Sequence, residues 1–170
     1  TVTLTKSGTA TGADYTLSTS TVIIPAGTSS KTVTLTGTGD LIDELDETFI
    51  VDINTVTNAT ESATQGQETI TLVDDDATPT VTLAVGSDSV IENGGTTTVT
   101  VTLSAVSGLP VTVTLIKSGT ASETIAPIDY VLEGVISIPA GVSSGTITLT
   151  ASNDALAEDN ETVVIDINVV

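Results

Sequence analysis

TVTLTKSGTA, residues 1–10, returns as TVTLIKSGTA at residues 112–121, with nine of ten positions identical. That return decides the organisation of the chain, because self-match at a fixed spacing marks tandem structural units. Downstream, IPAGTSS at 24–30 reappears as IPAGVSS at 138–144, and a spacing of 114 residues holds from Val22/Ile136 to Asn54/Asn168. The earlier spacing is 111, and the second copy is longer between its SGTA and its Asp129-Tyr130. A unit of about 110 residues is the size of a β-sandwich domain. Neither copy is whole. Residues 77–111 have no counterpart ahead of Thr1, and residues 55–76 have none after Val170. The expected domains are 1–76, a repeat lacking its first two strands, and 77–170, a repeat lacking its last.

Within each copy, apolar residues alternate with threonine, the pattern of strands with one buried and one wet face. TPTVTLAVG (78–86) and GTTTVTVTLSAV (95–106) read as strands one and two. TVTLTK (1–6) and PVTVTLIK (110–117) are strand three; STVIIPAG (20–27) and GVISIPAG (134–141) are strand four, closed by a Pro-Ala-Gly turn. KTVTLTGT (31–38) and GTITLTAS (145–152) are strand five, and ETFIVDINTV (47–56) and ETVVIDINVV (161–170) strand six. ETITLVDDD (68–76) is strand seven, found once. The fold class is all-β: tandem seven-stranded antiparallel β-sandwiches, immunoglobulin-like, both copies incomplete. Residues 1–54 and 112–168 should match strand for strand, apart from a longer loop at 122–128.

Composition agrees and excludes a good deal. Thr, Val and Ile make up 72 of the 170 residues, and these β-branched side chains suit pleated sheets. With no His and no Cys there is no Ser-His-Asp triad, thiol nucleophile, typical zinc site or disulfide framework. Twenty-two acids face three lysines, a formal charge of −19 that repels nucleic acid and anionic membrane surfaces. No apolar run is long enough to span a bilayer, so direct membrane insertion is not expected. The chain starts at Thr1 without a leader pattern and reads as a piece of a longer mature protein. A sugar-cleaving pair of carboxylates needs a stacking cleft that three aromatics, Tyr15, Phe49 and Tyr130, cannot build, so no enzyme is expected. Tyr15 and Tyr130 follow an Asp at matching positions and read as rings packed at sheet corners.

The acids gather in turns at matching places: Asp14, the run from Asp40 through Asp43, Glu44, Asp46 and Glu47, and the Asp74-Asp75-Asp76 strand end. In the second copy they recur at Asp129, Asp154, Glu158, Asp159 and Glu161. Carboxylates crowded at one end of a sandwich repel, and a hard cation taking six to eight oxygen ligands relieves that; calcium fits this description.

GADY (12–15), IIPAGTSSKTVTLTGTGD (23–40), DELDETFIVDI (43–53) and TITLVDDD (69–76), in that order, resemble tandem Calx-beta domains. These are repeats of sodium/calcium exchangers and large bacterial surface proteins. The second copy is similar through IDY (128–130), IPAGVSSGTITLTASND (138–154) and AEDNETVVIDI (157–167), while VIENGG (90–95) resembles the family's first-strand region. The resemblance implies a sandwich that binds calcium where the chain leaves the domain. It implies the ligands Asp14, Asp40, Glu44, Glu47, Asp74, Asp75 and Asp76 in the first copy. In the second it implies Glu92, Asp129, Asp154, Glu158 and Glu161. Gly39 and Asn153 depart from the pattern, standing where stronger calcium binders carry another Asp. The first copy lacks the first-strand Glu and the second lacks the terminal acidic run.

Three roles stand open. One is a non-catalytic structural or adhesive repeat of a large extracellular or cell-surface protein, bacterial in origin and rigidified by calcium at the inter-repeat junction. Another is a self-assembling fibre subunit completed by strands from neighbouring chains. The third is a calcium-sensing module. The expected partners are neighbouring repeats of the same or identical chains and a cell-surface or matrix ligand. Two further expectations are that Asp14, Asp40, Glu44 and residues 74–76 converge within a few ångströms, and that other protein covers the edge beside Val170 and the face beside Thr1.

Overall fold

The computed structural model describes residues 1–155 and 157–168. Every regular element among them is a β-strand, and the chain divides into two compact units, Thr1–Asp76 and Ala77–Val170.

Unit 1 holds β1 (Val2–Gly8), β2 (Tyr15–Leu17), β3 (Thr21–Val22), β4 (Leu35–Gly37), β5 (Glu47–Val56) and β6 (Gln67–Leu72). One sheet has the order β3-β1-β5-β6, and a two-stranded ribbon joins β2 to β4, all antiparallel. Phe49 of β5 is buried, and its ring meets Tyr15 of β2 edge-on at 4.6 Å between centroids, which ties the ribbon to the sheet.

Unit 2 holds β7 (Val81–Val85), β8 (Thr96–Leu103), β9 (Val111–Gly119), β10 (Tyr130–Val131), β11 (Val135–Ile138), β12 (Ser144–Ala151) and β13 (Val163–Ile167). Its sheets run β10-β12-β8-β7 and β11-β9-β13. Val99, Val101 and Leu103 of β8 are buried against Val113 and Leu115 of β9, Ile136 and Ile138 of β11, and Leu149 of β12. These residues come from both sheets, so unit 2 is a sandwich with one continuous core. On β8 the intervening Thr98 and Thr102 are exposed, as the period of two requires. The 92–95 stretch is a turn, with Gly94 at φ 73° and Gly95 N donating to Ile91 O.

The repeats share register wherever they share strands. Ser7 faces Ile50 as Ser118 faces Val164, and Val2 faces Val22 as Val113 faces Ile136. Tyr15 faces Gly37 as Tyr130 faces Ala151. Gly8 and Gly119 end the strand at φ 114° and 123°, and a Cβ on either would lie 2.1 Å from the carbonyl oxygen of Thr48 or Thr162. The glycine of the repeated SGTA is therefore fixed by both backbone conformation and close approach. After it, Thr48 N donates to Thr9 Oγ1 and Thr162 N to Thr120 Oγ1, at 2.8 and 2.9 Å.

Some expectations need adjusting. The short β2 and β10 were not expected as strands. In unit 1, strands four and five shrink from 20–27 and 31–38 to two and three residues. Strand six of unit 2 begins at Val163, and its last two residues, Val169 and Val170, lie outside the described residues, as does the edge beside Val170. The longer 122–128 loop carries Glu123, which pairs with Lys117; Lys117 Nζ also donates to Leu132 O at 2.8 Å.

Candidate metal centre

In unit 1 a cleft of about 540 Å³ is lined by Asp14, Asp40, Glu44, Glu47, Asp74, Asp75 and Asp76, together with Leu45, Val73 and the backbone of 37–39. All seven carboxylates implied for the first copy face one space. They come from four separate segments: the turn before β2, the end of β4, the start of β5 and the end of β6.

Local hydrogen bonds hold those segments in place. Asp14 Oδ2 accepts from the backbone N–H and the hydroxyl of Thr11, and Thr38 N donates to Asp14 O at 2.8 Å. Asp40 Oδ1 accepts from Ile42 N at 2.8 Å, closing a tight turn after β4. Asp74 Oδ2 accepts from Glu44 N at 3.3 Å, and Asp46 Oδ1 accepts from Asp74 N at 3.1 Å. Asp46 is thus a positioning residue rather than a lining one. Its place just before β5 was the only sequence signal for that role.

The charges are crowded enough to disturb one another. Partial desolvation pushes the Glu47 carboxyl above its ordinary range, and the charge of Asp14 and a hydrogen bond shared with it push the same way. Asp14 moves down, held by the hydrogen bonds from Thr11. Asp76 rises through desolvation and then through the charges of Asp74, Asp75 and Asp40.

Unit 2 repeats half of this arrangement. Asp129 Oδ2 accepts from Ser122 N, and Ser152 N donates to Asp129 O at 2.8 Å, matching the Thr38 bond in unit 1. Glu161 is pushed up by desolvation, by Asp129 and by a hydrogen bond with it, so Asp129/Glu161 repeats the Asp14/Glu47 pair. Glu158 is raised by desolvation, then by Asp154, Asp129 and Glu92. The fields of Asp129 and Glu92 thus reach both Glu158 and Glu161, and that of Asp154 reaches Glu158. None of the described residues of unit 2 stands at a position equivalent to 74–76.

A larger hollow of about 660 Å³ lies along 61–67, but only Asp52 and Glu61 among its lining residues carry charge. It is a loop recess.

A family model for the Calx-beta domain matches residues 2–76 and again residues 74–169. The chain belongs to the Calx-beta family. Calx-beta domains are non-catalytic β-sandwiches of exchangers and surface proteins, and the family is known for binding calcium. No curated protein and no solved structure matched the chain. Among the described residues, no helix is long and apolar enough to cross a membrane.

The donor set suits the family's ion. Every charged side chain lining the cleft is a carboxylate, the hard ligand that calcium and magnesium prefer, and neither His nor Cys is present to favour a softer metal. One expectation is corrected. Among the described residues, no three acids are set as a ready cation cage, so the convergence within a few ångströms is not found. Mutual repulsion accounts for the open arrangement: two unit charges 4 Å apart repel by ~1 kcal/mol in water and by ~4 kcal/mol at an effective dielectric of 20.

Proposed function

We propose that the chain is a pair of non-catalytic spacer repeats of an extracellular or cell-surface protein, and that the unit 1 cleft takes up calcium. The observation that carries this reading is the gathering of seven carboxylates from four segments in one cleft. An ion there would be held by Asp14, Asp40, Glu44, Glu47 and residues 74–76, and its charge would offset their repulsion. Residue 76 is followed directly by Ala77 and then by Thr78-Pro79, whose proline ring fixes φ. Holding 74–76 in place would therefore shorten the free linker to the next repeat. Unit 2 brings five of the implied acids together where unit 1 brings seven. Neighbouring repeats are the expected partners, and the acidic surface keeps nucleic acid away.

Titration calorimetry on the full chain with calcium, beside magnesium as a comparison, tests this. Calcium should release or absorb heat and raise the melting temperature, by roughly 2.7 kcal/mol of native-state stabilisation at one hundred times the dissociation constant. Replacing Asp75 and Glu44 with Ala should remove both effects. No heat, with a melting curve unmoved by chelator, would reduce the acids to a solubility device. The affinity also separates two roles: a spacer stays saturated at millimolar calcium, whereas a sensor responds nearer the micromolar range.

A further inference from the structure

ENGG (92–95) is the turn that leads into β8, and its middle pair, Asn93-Gly94, is the one Asn-Gly step in the chain. Asn93 and Gly94 are both exposed, and a Cβ placed on Gly94 would meet no atom within 4 Å. The main chain there is lightly held. Gly95 N donates to Ile91 O at 3.0 Å and closes the turn around the step. Gly94 N donates to Glu92 O at 2.7 Å across a three-residue turn, a local bond that opens without disturbing a sheet ladder.

An asparagine side chain holds its Cγ where the backbone nitrogen of the next residue closes a five-membered ring on it. The obstacle is the side chain of that next residue, and glycine has none; its wide conformational range also lets the peptide swing into line. The other five asparagines lack that opening. Asn54 is inside β5 with the β-branched Thr55 next, Asn58 precedes Ala59, and Asn168 precedes the β-branched Val169. Asn153 and Asn160 precede Asp154 and Glu161, whose charges oppose loss of the amide proton.

We propose that Asn93 is a self-modification site, at which Gly94 N attacks the carboxamide and a carboxylate takes its place beside Glu92. Hydroxide removes the Gly94 N–H proton, the bond from N to Asn93 Cγ forms, and Nδ2 leaves as ammonia after taking a proton from water. A second water then opens the cyclic imide. Opening at Cγ gives aspartate on the original main chain; opening at the main-chain carbonyl of residue 93 gives isoaspartate, whose main chain runs through Cβ and Cγ. Either way one water is consumed and one ammonia released, with no oxidant or cofactor, and the net charge of −19 becomes one unit more negative.

Position gives the change its consequence. Gly95 O accepts from Ala151 N at 2.8 Å, and Ser152 N donates to Asp129 O at 2.8 Å, so the turn is laced to the end of β12 beside Asp129 and shortly before Asp154. The charge of Glu92 already reaches Glu158 and Glu161. A carboxylate at position 93 adds to the crowding at this end of unit 2. The conversion runs one way in water, so a long-lived chain acquires the charge with age.

The test holds the full chain in warm, mildly alkaline, calcium-free buffer and follows each asparagine by peptide mapping and mass spectrometry. Asn93 should convert roughly tenfold or more faster than any other asparagine, giving both aspartate and isoaspartate. Asn93→Gln, whose longer side chain would have to close a six-membered ring, should keep its position on anion exchange while the parent shifts. Asn93 left intact, or converting no faster than another asparagine, would overturn the assignment, as would an equal shift of Asn93→Gln. Asn93→Asp reads the consequence: without calcium it should melt below the parent at low salt, and the gap should close as salt screens the charges. Equal melting at low salt would overturn the placing of the new carboxylate among the acids of unit 2.

Discussion

Ile138 in unit 2 and Ile24 in unit 1 both stand just before a Pro-Ala-Gly turn, in repeats whose shared strands keep one register. One is fully buried and the other is 38% exposed. The turns themselves agree: Gly27 and Gly141 have φ 85° and 77°, and Thr28 N and Val142 N donate to the carbonyls of Pro25 and Pro139. Local sequence therefore sets the turn and the register in both units. Burial is decided by a strand pair more than thirty residues away, which unit 2 contains and unit 1 does not. Among the described residues, the buried apolar side chains of unit 1 are Val22 and Phe49, whereas unit 2 buries eleven.

The sharpest way to break this contrast is to truncate the two isoleucines. Ile138→Ala should cost about 2–5 kcal/mol, as full burial implies, and Ile24→Ala well under half of that. Urea unfolding of the two variants reads the difference. Equal losses would mean that the face of unit 1 is already covered.

Glycine substitution should erase the contrast instead. Gly8→Ala and Gly119→Ala each force a Cβ onto a carbonyl at positive φ. Each should destabilise its own unit by roughly 1–3 kcal/mol, measured by local hydrogen exchange. An effect confined to unit 2 would show that the strand end of unit 1 is free to shift.

Acidity sharpens the electrostatic side of the comparison. Glu47, Asp76, Glu158 and Glu161 have folded-state pKa values above their unfolded ones. In the window from the ordinary carboxylate range of about 4 to just above it, the native state binds more protons than the unfolded state. The stability these groups contribute is present below that window and is lost as pH rises through it. Asp14 and Glu123 are lowered and act oppositely, losing their contribution as pH falls through their folded values. Without calcium, the melting temperature should rise as neutral solution is brought toward pH 5, and saturating calcium should flatten the rise. A melting temperature that falls steadily over the same range would contradict the crowding of these acids.

The smallest expected effect is Glu123→Gln. Its pair with Lys117 is partly exposed, so removing the charge should cost no more than about 1 kcal/mol in unit 2. Among the described residues unit 1 shows no such pair, because Glu123 belongs to the longer loop. Lys6 instead lies 5.7 Å from the centre of the Tyr15 ring.

Much of this was legible in the sequence, for identifiable reasons. The nine-in-ten repeat announced two units, and the alternation of Thr with Val over 96–103, and with Ile147 and Leu149 over 144–151, marked strands that need both faces specified. The same alternation over 31–38 misled, because a strand's length depends on its partner and residues 31–38 do not encode one. The short strands β2 and β10, of three and two residues, are too short for any periodicity to register. The acids of the cleft could be gathered by repeat position, but their openness follows from repulsion in three dimensions. The Asp46 bond to Asp74 joins residues 28 apart through the backbone, where sequence spacing carries no signal.

On β5, Asp52 sits inside a sheet, and the rung beside it on β6 is Gln67. Its counterpart Asp166 lies on β13, which among the described residues pairs with β9. An exposed edge is a template for any strand with free amides and carbonyls. If two identical edges met antiparallel about this rung, Asp166 would face Asp166, and like charges directly opposite destabilise a ladder. A strand of the β6 kind would bring an amide instead. An aspartate at that rung therefore disfavours pairing of the strand with a copy of itself and suits the amide that stands opposite Asp52 in unit 1.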